Sequence, residues 1–157
     1  MDATDHTVPR KEDTMLKGIP DLVSPELLKI LHEMGHGDDL VIGDSNYPAA
    51  SNARLLARAD GHGVPEVLDA ILALFPLDSY VDCPVSLMQV VPGDPTIPAV
   101  QERIRTVVRK HEKRGDAAIE TVERFAFYER AKKAYAILAT TEKGAYGCLI
   151  IKKGVLH

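Results

Sequence analysis

The sequence predicts a three-layer α/β fold, in which a mostly parallel β-sheet carries helices on both faces. Segments with apolar residues at helical spacing alternate along the chain with short apolar runs that are typical of buried strands. The last two strand candidates are joined by a short link that contains glycine, Thr141–Ala145, which is typical of a hairpin. We therefore expect C-terminal hairpin strands, with an antiparallel strand at one edge of the sheet.

Composition and charge limit the classes of protein to which the chain can belong. With 157 residues, 45% of them hydrophobic and 27% charged, the chain is long enough for one globular domain with a sizeable core. The formal net charge of −4 argues against a general affinity for nucleic acid or for an anionic membrane. No apolar run approaches the roughly 20 residues that span a bilayer. We expect a small molecule as the partner.

The cysteines and the N-terminal segment indicate the compartment and the domain bounds. Cys83 and Cys148 are far apart without CxxC spacing, so neither a disulfide framework nor a cysteine zinc site is predicted, and we expect a cytoplasmic protein. Residues 1–14 are polar and charged and cannot bury a face of their own. We expect them to form a flexible extension before a single domain of residues 15–157.

Helix starts and apolar spacing define the helices. Ser24-Pro25-Glu26 can begin a helix, because serine caps the amino end, proline suits the first position and glutamate complements the positive end of the helix. We expect this helix to end at Gly35. Further helices are predicted from Val64 to Phe75, from Pro98 to Arg114 and from Arg124 to Ala131.

The strand candidates are short runs of apolar and β-branched residues. Asp39–Gly43 is followed by polar residues that begin with Asp44, and ligand sites in open α/β sheets gather at the carboxyl ends of strands. Val85–Val91, which is almost continuously apolar, is the best candidate for a central strand. The other candidates are Arg54–Ala59, Ala118–Val122, Ala134–Thr140 and Tyr146–Lys152.

The segment His32-Glu33-Met34-Gly35-His36 permits two incompatible interpretations. It fits the His-Glu-x-x-His motif of zinc hydrolases, in which His32 and His36 bind the metal and Glu33 is the base. That motif needs both histidines on one face of a continuous helix, whereas Gly35 and Gly37 on either side of His36 favour a loop. The alternative is a lone His36 that acts as an acid or base, which imidazole suits near neutral pH.

His36 and Asp44 lie at opposite ends of the predicted strand Asp39–Gly43. At about 3.3 Å per extended residue, their side chains would be some 15 to 25 Å apart if the segment is straight. A folded loop or a second subunit is then needed to bring them together.

Two further segments carry residues suited to a polar ligand. Arg124 and Tyr128 are four residues apart, so on a helix they share a face, where a guanidinium and a phenol suit sugar hydroxyls. The alternative is that this pair merely packs beside Phe125 and Phe127. The second segment precedes the last strand run, where the glycine of Tyr146-Gly147 would let a ligand or another backbone come close.

The motifs of other enzyme classes are missing or weak. No phosphate loop, dinucleotide glycine pattern or GxSxG elbow occurs in the sequence. A nucleophilic role for Cys148 is possible, but a cysteine beside Leu149 in a buried strand is more often an inert, small apolar residue.

Several longer segments, which follow one another in order along the chain, carry a resemblance to a known family. They are Ser24-Pro25-Glu26-Leu27-Leu28, Glu33-Met34-Gly35-His36-Gly37-Asp38, Asp60-Gly61, Leu77-Asp78-Ser79-Tyr80, Arg124-Phe125-Ala126-Phe127-Tyr128-Glu129-Arg130-Ala131, Tyr146-Gly147 and Lys152-Lys153-Gly154-Val155. From Met15 to Leu156 the chain resembles the RbsD/FucU family of sugar mutarotases, most closely its L-fucose mutarotase branch. The resemblance implies an RbsD-like fold and interconversion of the α and β anomers of a free pyranose, without a metal or cofactor. It also implies pentameric rings, or decamers of stacked rings, with sites between subunits.

The resemblance also implies roles for individual residues. His36 matches the catalytic acid, and Tyr128 is a second catalytic candidate in the matching helix. The implied substrate contacts are Asp44, Arg124, Tyr146, Gly147 and Cys148. The family commonly has asparagine at the position of Cys148, so a side-chain amide is lost here and the substrate preference could differ. L-Fucose is the first expected substrate, and a non-catalytic sugar-binding or transport-accessory protein is the main alternative.

Overall fold

The computed structural model describes residues 14–157. The extension predicted for residues 1–14 lies, except for Thr14, outside the described residues. The helices are α1 (Pro25–Glu33), α2 (Ala49–Asn52), α3 (Val64–Leu72), α4 (Ala99–His111) and α5 (Arg124–Lys132), with a short 3₁₀ helix at Gly115–Ala118. The strands are β1 (Asp39–Gly43), β2 (Leu56–Ala59), β3 (Val85–Met88), β4 (Ile119–Val122), β5 (Ala136–Thr140) and β6 (Leu149–Lys152).

In the described part of the chain, the six strands form one mixed sheet in the order β2-β5-β1-β6-β3-β4. The pairs β2 with β5, β5 with β1, and β3 with β4 are parallel. Strand β6 runs antiparallel to both of its neighbours, β1 and β3. The predicted α/β class with a mostly parallel sheet is therefore confirmed.

The predicted C-terminal hairpin is wrong, because β5 and β6 do not pair and β1 lies between them. The segment that links them makes its hydrogen bonds elsewhere: the Glu142 carboxylate accepts one from the Val64 N–H (3.3 Å), and the Glu142 carbonyl accepts one from the Ser45 N–H (2.8 Å). These contacts tie the link to the loops after β1 and before α3. The antiparallel strand is consequently an interior strand and not an edge.

Alternate residues along the strands face two separate apolar layers, as the pleat of a sheet requires. On one face Leu40 and Ile42 of β1 pack with α1, α3 and α4. On the other face Val41 of β1 and Ile150 of β6 pack with Phe127 of α5 and with α2. Helices on both faces therefore give the three layers that the sequence predicts.

Several element bounds differ from the sequence predictions. Strand β3 ends at Met88, short of the predicted Val91, but it is an interior strand that pairs with β6 and β4 and is buried along its length. Beyond it, the Gln89 N–H still donates to the Val122 carbonyl of β4 (2.8 Å), whereas the Val91 N–H donates to the Tyr146 hydroxyl (3.3 Å). Strands β2, β4, β5 and β6 begin one to three residues later than predicted, and the short helix α2 has no sequence prediction.

Candidate active site

The predicted site residues divide between the two ends of the sheet. Strand β1 separates them, because His36 precedes the first residue of the strand and Asp44 directly follows its last residue. Five extended residues span roughly 17 Å at about 3.3 Å each, so the two groups do not meet within one chain. We name the two groups the His36 half-site and the Asp44 half-site. The His36 half-site comprises the predicted His36 and two residues that were not predicted, Asp78 and Tyr80. The Asp44 half-site comprises the predicted Asp44, Arg124, Tyr128, Tyr146, Gly147 and Cys148, together with Tyr47, which was not predicted.

His36 lies in a loop, as the lone acid/base interpretation predicts. Helix α1 ends at Glu33, because Met34 is already extended (φ −61°, ψ 135°), two residues earlier than the expected end at Gly35. The left-handed residue is Gly37 (φ 85°), whose N–H donates to the Lys153 carbonyl (2.8 Å) beyond β6. This bond fixes the loop that carries His36 to the neighbouring strand.

The zinc interpretation of His32 and His36 is wrong on geometric grounds. With the helix ended at Glu33, the two histidines do not share a helical face. The imidazole Nε2 of His36 instead lies 3.1 Å from an oxygen of Asp78. Among residues 14–157, no three His, Cys, Asp or Glu side chains are grouped so that they could hold a metal ion.

Asp78 orients His36 and is a residue that the sequence reasoning missed as a site residue. Its side chain is 4% exposed, whereas that of His36 is 44% exposed. Oδ1 of Asp78 accepts hydrogen bonds from the Tyr80 N–H (3.0 Å) and from His36, and the Tyr80 ring lies 5.2 Å from the imidazole. The sequence signal that could have identified Asp78 is the segment Leu77-Asp78-Ser79-Tyr80, which is one of the segments that carry the family resemblance.

Asp78 is held as a carboxylate. Burial alone would raise its pKa, but the hydrogen bonds from Tyr80 and His36, together with the charges of His36 and Lys152, outweigh burial and hold the pKa below its ordinary value. An ionised carboxylate accepts the Nε2 hydrogen bond and leaves Nδ1 of the imidazole for another partner.

Asp44 is the centre of the second half-site. The residue is 8% exposed, and its carboxylate accepts hydrogen bonds from three backbone N–H groups. Oδ1 accepts from Asn46 (3.1 Å) and Tyr47 (3.0 Å), and Oδ2 accepts from Gly147 (3.1 Å). The carboxylate is therefore fixed in position by the turn after β1 and by the segment before β6.

Gly147 and Cys148 pack tightly against Asp44. A Cβ on Gly147 would lie 3.2 Å from the Gly144 carbonyl and 3.3 Å from the Asp44 Cβ, so the predicted close approach is present, with protein atoms as the neighbours. Cys148 is 3% exposed, and its sulfur accepts the Asp44 N–H at 3.5 Å. Burial, reinforced by the Asp44 charge, raises the pKa of the Cys148 thiol, which agrees with an inert cysteine.

Tyr146 presents its backbone and not a free hydroxyl. It has φ 60°, a left-handed conformation that non-glycine residues adopt mostly at strained, functional positions. Its hydroxyl donates to Oδ2 of Asp94 (2.5 Å), and this bond is the main reason that the pKa of Tyr146 is raised. Its carbonyl accepts from the Gln101 amide (3.1 Å).

Arg124 and Tyr128 share one face of α5, as their spacing predicts. The Glu123 carboxylate caps the helix by accepting the Ala126 N–H (3.0 Å), which places Arg124 at the first helical position. The Arg124 guanidinium carbon lies 5.9 Å from the centre of the Tyr128 ring and 4.9 Å from that of Phe125. The alternative interpretation requires Phe125 to be a core residue, but Phe125 is 64% exposed.

Two surface pockets lie beside the two half-sites. One of about 460 Å³ beside His36 is lined mainly by apolar side chains such as Leu31, Phe75 and Leu156. The other, of about 220 Å³, lies beside Arg124. Neither of the two is lined by Asp44.

Within residues 14–157, none of the helices has the length and apolar character that a membrane crossing requires.

The fold is a three-layer α/β fold. It carries a His–Asp pair at one end of the sheet and a carboxylate, a guanidinium and a phenol at the other. These groups are suited to a small, hydroxyl-rich ligand. The family model described as the RbsD / FucU transport protein family matches residues 17–156, and the chain belongs to this family.

Relatives of known activity and structure are similar over most of the chain. The chain is 52% identical over 141 residues to the L-fucose mutarotase of Actinobacillus pleuropneumoniae serotype 5b (strain L20), covering 90% of this chain and 97% of that protein. It is 47% identical over 146 residues to the human fucose mutarotase, covering 90% and 94%. Among solved structures, the fucose mutarotase of Streptococcus pneumoniae in complex with L-fucose is 51% identical, with a TM-score of 0.86 and coverage of 90% and 100%.

Proposed function

We propose that this chain is an L-fucose mutarotase, an isomerase that interconverts the α and β anomers of the free pyranose by general acid–base catalysis. Relatives named for this activity match at 52% and 47% identity over 90% of the chain. The observation that carries the chemistry is the His36–Asp78 pair, in which a buried carboxylate orients a partly exposed imidazole. A lone, oriented imidazole is a suitable group for moving one proton.

Mutarotation requires two proton transfers. One proton leaves the anomeric hydroxyl while another arrives on the ring oxygen, and the bond between C1 and the ring oxygen breaks to give the open aldehyde. Rotation about the C1–C2 bond presents the other face of the aldehyde, and reversal of both transfers closes the other anomer. No atom is gained or lost, so the reaction needs an acid and a base but no further reactant.

His36 is the proposed acid toward the ring oxygen. Because Nε2–H donates to Asp78 at 3.1 Å, the nitrogen left for the sugar is Nδ1, and His36 acts as the acid in its imidazolium form, in which Nδ1 also carries a proton. Asp78 restricts the ring to one orientation, which lowers the entropic cost of reaching the reactive geometry.

The Asp44 half-site supplies the sugar contacts. Asp44 and Arg124 would orient hydroxyls, and Tyr128, the second predicted catalytic residue, takes part in the transfer at the anomeric hydroxyl. The Tyr146 hydroxyl is occupied by Asp94 at 2.5 Å, so Tyr146 and Gly147 contribute their backbones. Cys148 contributes a buried apolar wall.

A site completed by a second copy of the chain is part of this proposal. The half-sites lie at opposite ends of the sheet, and large apolar side chains are exposed near each: Tyr80 (68%) and Leu156 (83%) near His36, and Phe125 (64%) beside Arg124. A head-to-tail interface that joins unlike surfaces forms a ring when the rotation between copies closes, and the predicted pentamer or stacked decamer is such a ring.

The cytoplasm is the proposed location, and the free thiols of Cys83 and Cys148 suit a reducing compartment.

Saturation-exchange NMR on α and β L-fucose tests the proposal. Wild-type protein is expected to exchange the anomers faster than buffer alone, and His36→Ala to lose about a hundredfold to ten-thousandfold of the catalysed rate. His32→Ala, which removes an exposed histidine four residues away, is the matched control and should retain the rate. Equal rates for wild type and His36→Ala would contradict the role of His36. Saturable fucose binding without faster exchange would indicate a sugar-binding or transport-accessory protein.

A further inference from the structure

Tyr47 carries a buried hydroxyl without a protein partner. The residue is 7% exposed, and among residues 14–157 its Oη is the buried side-chain oxygen or nitrogen that lacks a hydrogen bond. A buried hydroxyl without a partner has given up its hydrogen bonds to water without replacement, which costs free energy. Such groups are uncommon in folded proteins, and each indicates a partner that binds there or a functional constraint.

Tyr47 belongs to the Asp44 half-site by its contacts. Its N–H donates to Oδ1 of Asp44 (3.0 Å), and its ring lies 5.7 Å from that of Tyr128 and edge-on to Phe127 at 6.2 Å. A Cβ on Gly43 would lie 2.8 Å from Cδ1 of Tyr47, so only glycine leaves room for the ring. The phenol is therefore held on several sides, and its hydroxyl position is defined.

The groups around the hydroxyl explain what it can do. Burial, followed by the nearby Cys148 and Tyr128, raises the pKa of Tyr47, so the phenol keeps its proton near neutral pH and remains a donor. The Cys148 thiol is a weak donor, and its sulfur already accepts the Asp44 N–H. A strong, directional donor at this point of the half-site is thus available from Tyr47 and not from Cys148.

We propose that the Tyr47 hydroxyl donates a hydrogen bond to a hydroxyl of the bound sugar and supplies the directional contact that Cys148 cannot. Tyr47 is then a specificity-determining residue, since a sugar with a hydroxyl at that place gains a bond and a sugar without one leaves the phenol unpaired. This inference rests on the proposed function, in that the ligand is the monosaccharide of the Asp44 half-site.

Tyr47→Phe removes only the hydroxyl and tests the contact. We expect KM for anomer exchange of L-fucose to rise about threefold to tenfold, the worth of one net hydrogen bond. The melting temperature should stay the same or rise, because no protein hydrogen bond is lost. Tyr135→Phe is the matched control, since that hydroxyl bonds to Glu33 (3.1 Å) outside both half-sites, and its KM should equal that of the wild type. An unchanged KM for Tyr47→Phe over a panel of monosaccharides would overturn the inference.

A second variant separates the lost hydrogen bond from altered packing. Cys148→Asn places an amide donor in the buried cluster that contains residue 47, so in the Tyr47→Phe background it should restore part of the lost affinity. A folded double variant without any restoration would assign the loss to packing and overturn the inference.

Isothermal titration with L-fucose keeps this inference distinct from the proposed function. If the wild type binds fucose without catalysing exchange, the proposed function fails, whereas weaker binding by Tyr47→Phe still supports the contact. If Tyr47→Phe binds and exchanges the sugar as the wild type does, the contact fails while the proposed function stands. A wild type that binds no monosaccharide contradicts both.

Discussion

Asp78 shows how much of the candidate site depends on single residues that are distant in sequence. The helical spacing of Arg124 and Tyr128 is local, so their shared face could be predicted from the sequence. The flanking glycines likewise predicted a loop at His36. Asp78 is 42 residues from His36, and nothing in local periodicity could have paired them. The same limit applies to Tyr47, whose unpaired hydroxyl follows from tertiary packing.

Asp78→Asn tests the orienting role. The amide keeps an oxygen that can accept the Nε2 hydrogen bond but loses the negative charge that strengthens this bond, so we expect exchange to fall about tenfold to a hundredfold, as for carboxylates that orient metal-binding histidines. Binding of L-fucose should change less than the exchange rate. Asp60→Asn is the matched control, because Asp60 is exposed and its carboxylate pairs with Arg58 (3.0 Å) outside both half-sites. Equal exchange rates for Asp78→Asn and the wild type would show that His36 does not need this partner.

The same variant has a pH signature in stability. The folded pKa of Asp78 lies below its unfolded value, so the carboxylate stabilises the fold fully above the unfolded pKa of about 4, and this contribution is lost as the pH falls through the folded pKa. Between neutral pH and strong acid, the free energy of unfolding should therefore fall less steeply in Asp78→Asn than in the wild type. Urea denaturation at a series of pH values measures this, and parallel curves would contradict the assigned pKa shift.

At the scale of elements, the link between β5 and β6 organises the Asp44 half-site. Apolar runs and turn residues were enough to place helices and strands to within a few residues, because those signals are local. The separation of β5 from β6 by β1 could not be predicted, because a glycine-containing link of hairpin length is also compatible with crossing over β1. In the folded chain this link is held by Glu142, which is 8% exposed and accepts hydrogen bonds from the N–H groups of Val64 and Gly144.

Glu142→Ala tests the structural role of this link. The change leaves the N–H groups of Val64 (3.3 Å) and Gly144 (3.0 Å) without an acceptor, so we expect a loss of about 1 to 3 kcal/mol in the free energy of unfolding. Fucose affinity should also fall, because Gly147 packs against Glu142 and donates to Asp44. Glu129→Ala, at an exposed pair with Lys132, is the control and should cost little. Equal urea midpoints for the two variants would contradict the role of Glu142.

At the scale of the whole molecule, the mixed sheet keeps the two half-sites apart. The His36 loop precedes the first residue of β1 and Asp44 follows its last, so the length of the strand fixes their separation. The sequence predicted this separation from the rise of an extended chain, because the strand bounds of β1 were predicted correctly. The sequence pattern alone could not show which surface closes the site, since that depends on how copies of the chain meet.

Subunit mixing tests the central claim most directly, namely that His36 of one copy acts on a sugar held by the Asp44 half-site of another. His36→Ala and Arg124→Ala are each expected to be nearly inactive in L-fucose exchange. In an oligomer assembled randomly from both, about one interface in four carries both intact residues, so exchange should recover to about a quarter of the wild-type rate. Native mass spectrometry verifies that the variants mix. Mixed oligomers that stay as inactive as their parents would contradict a site shared between copies.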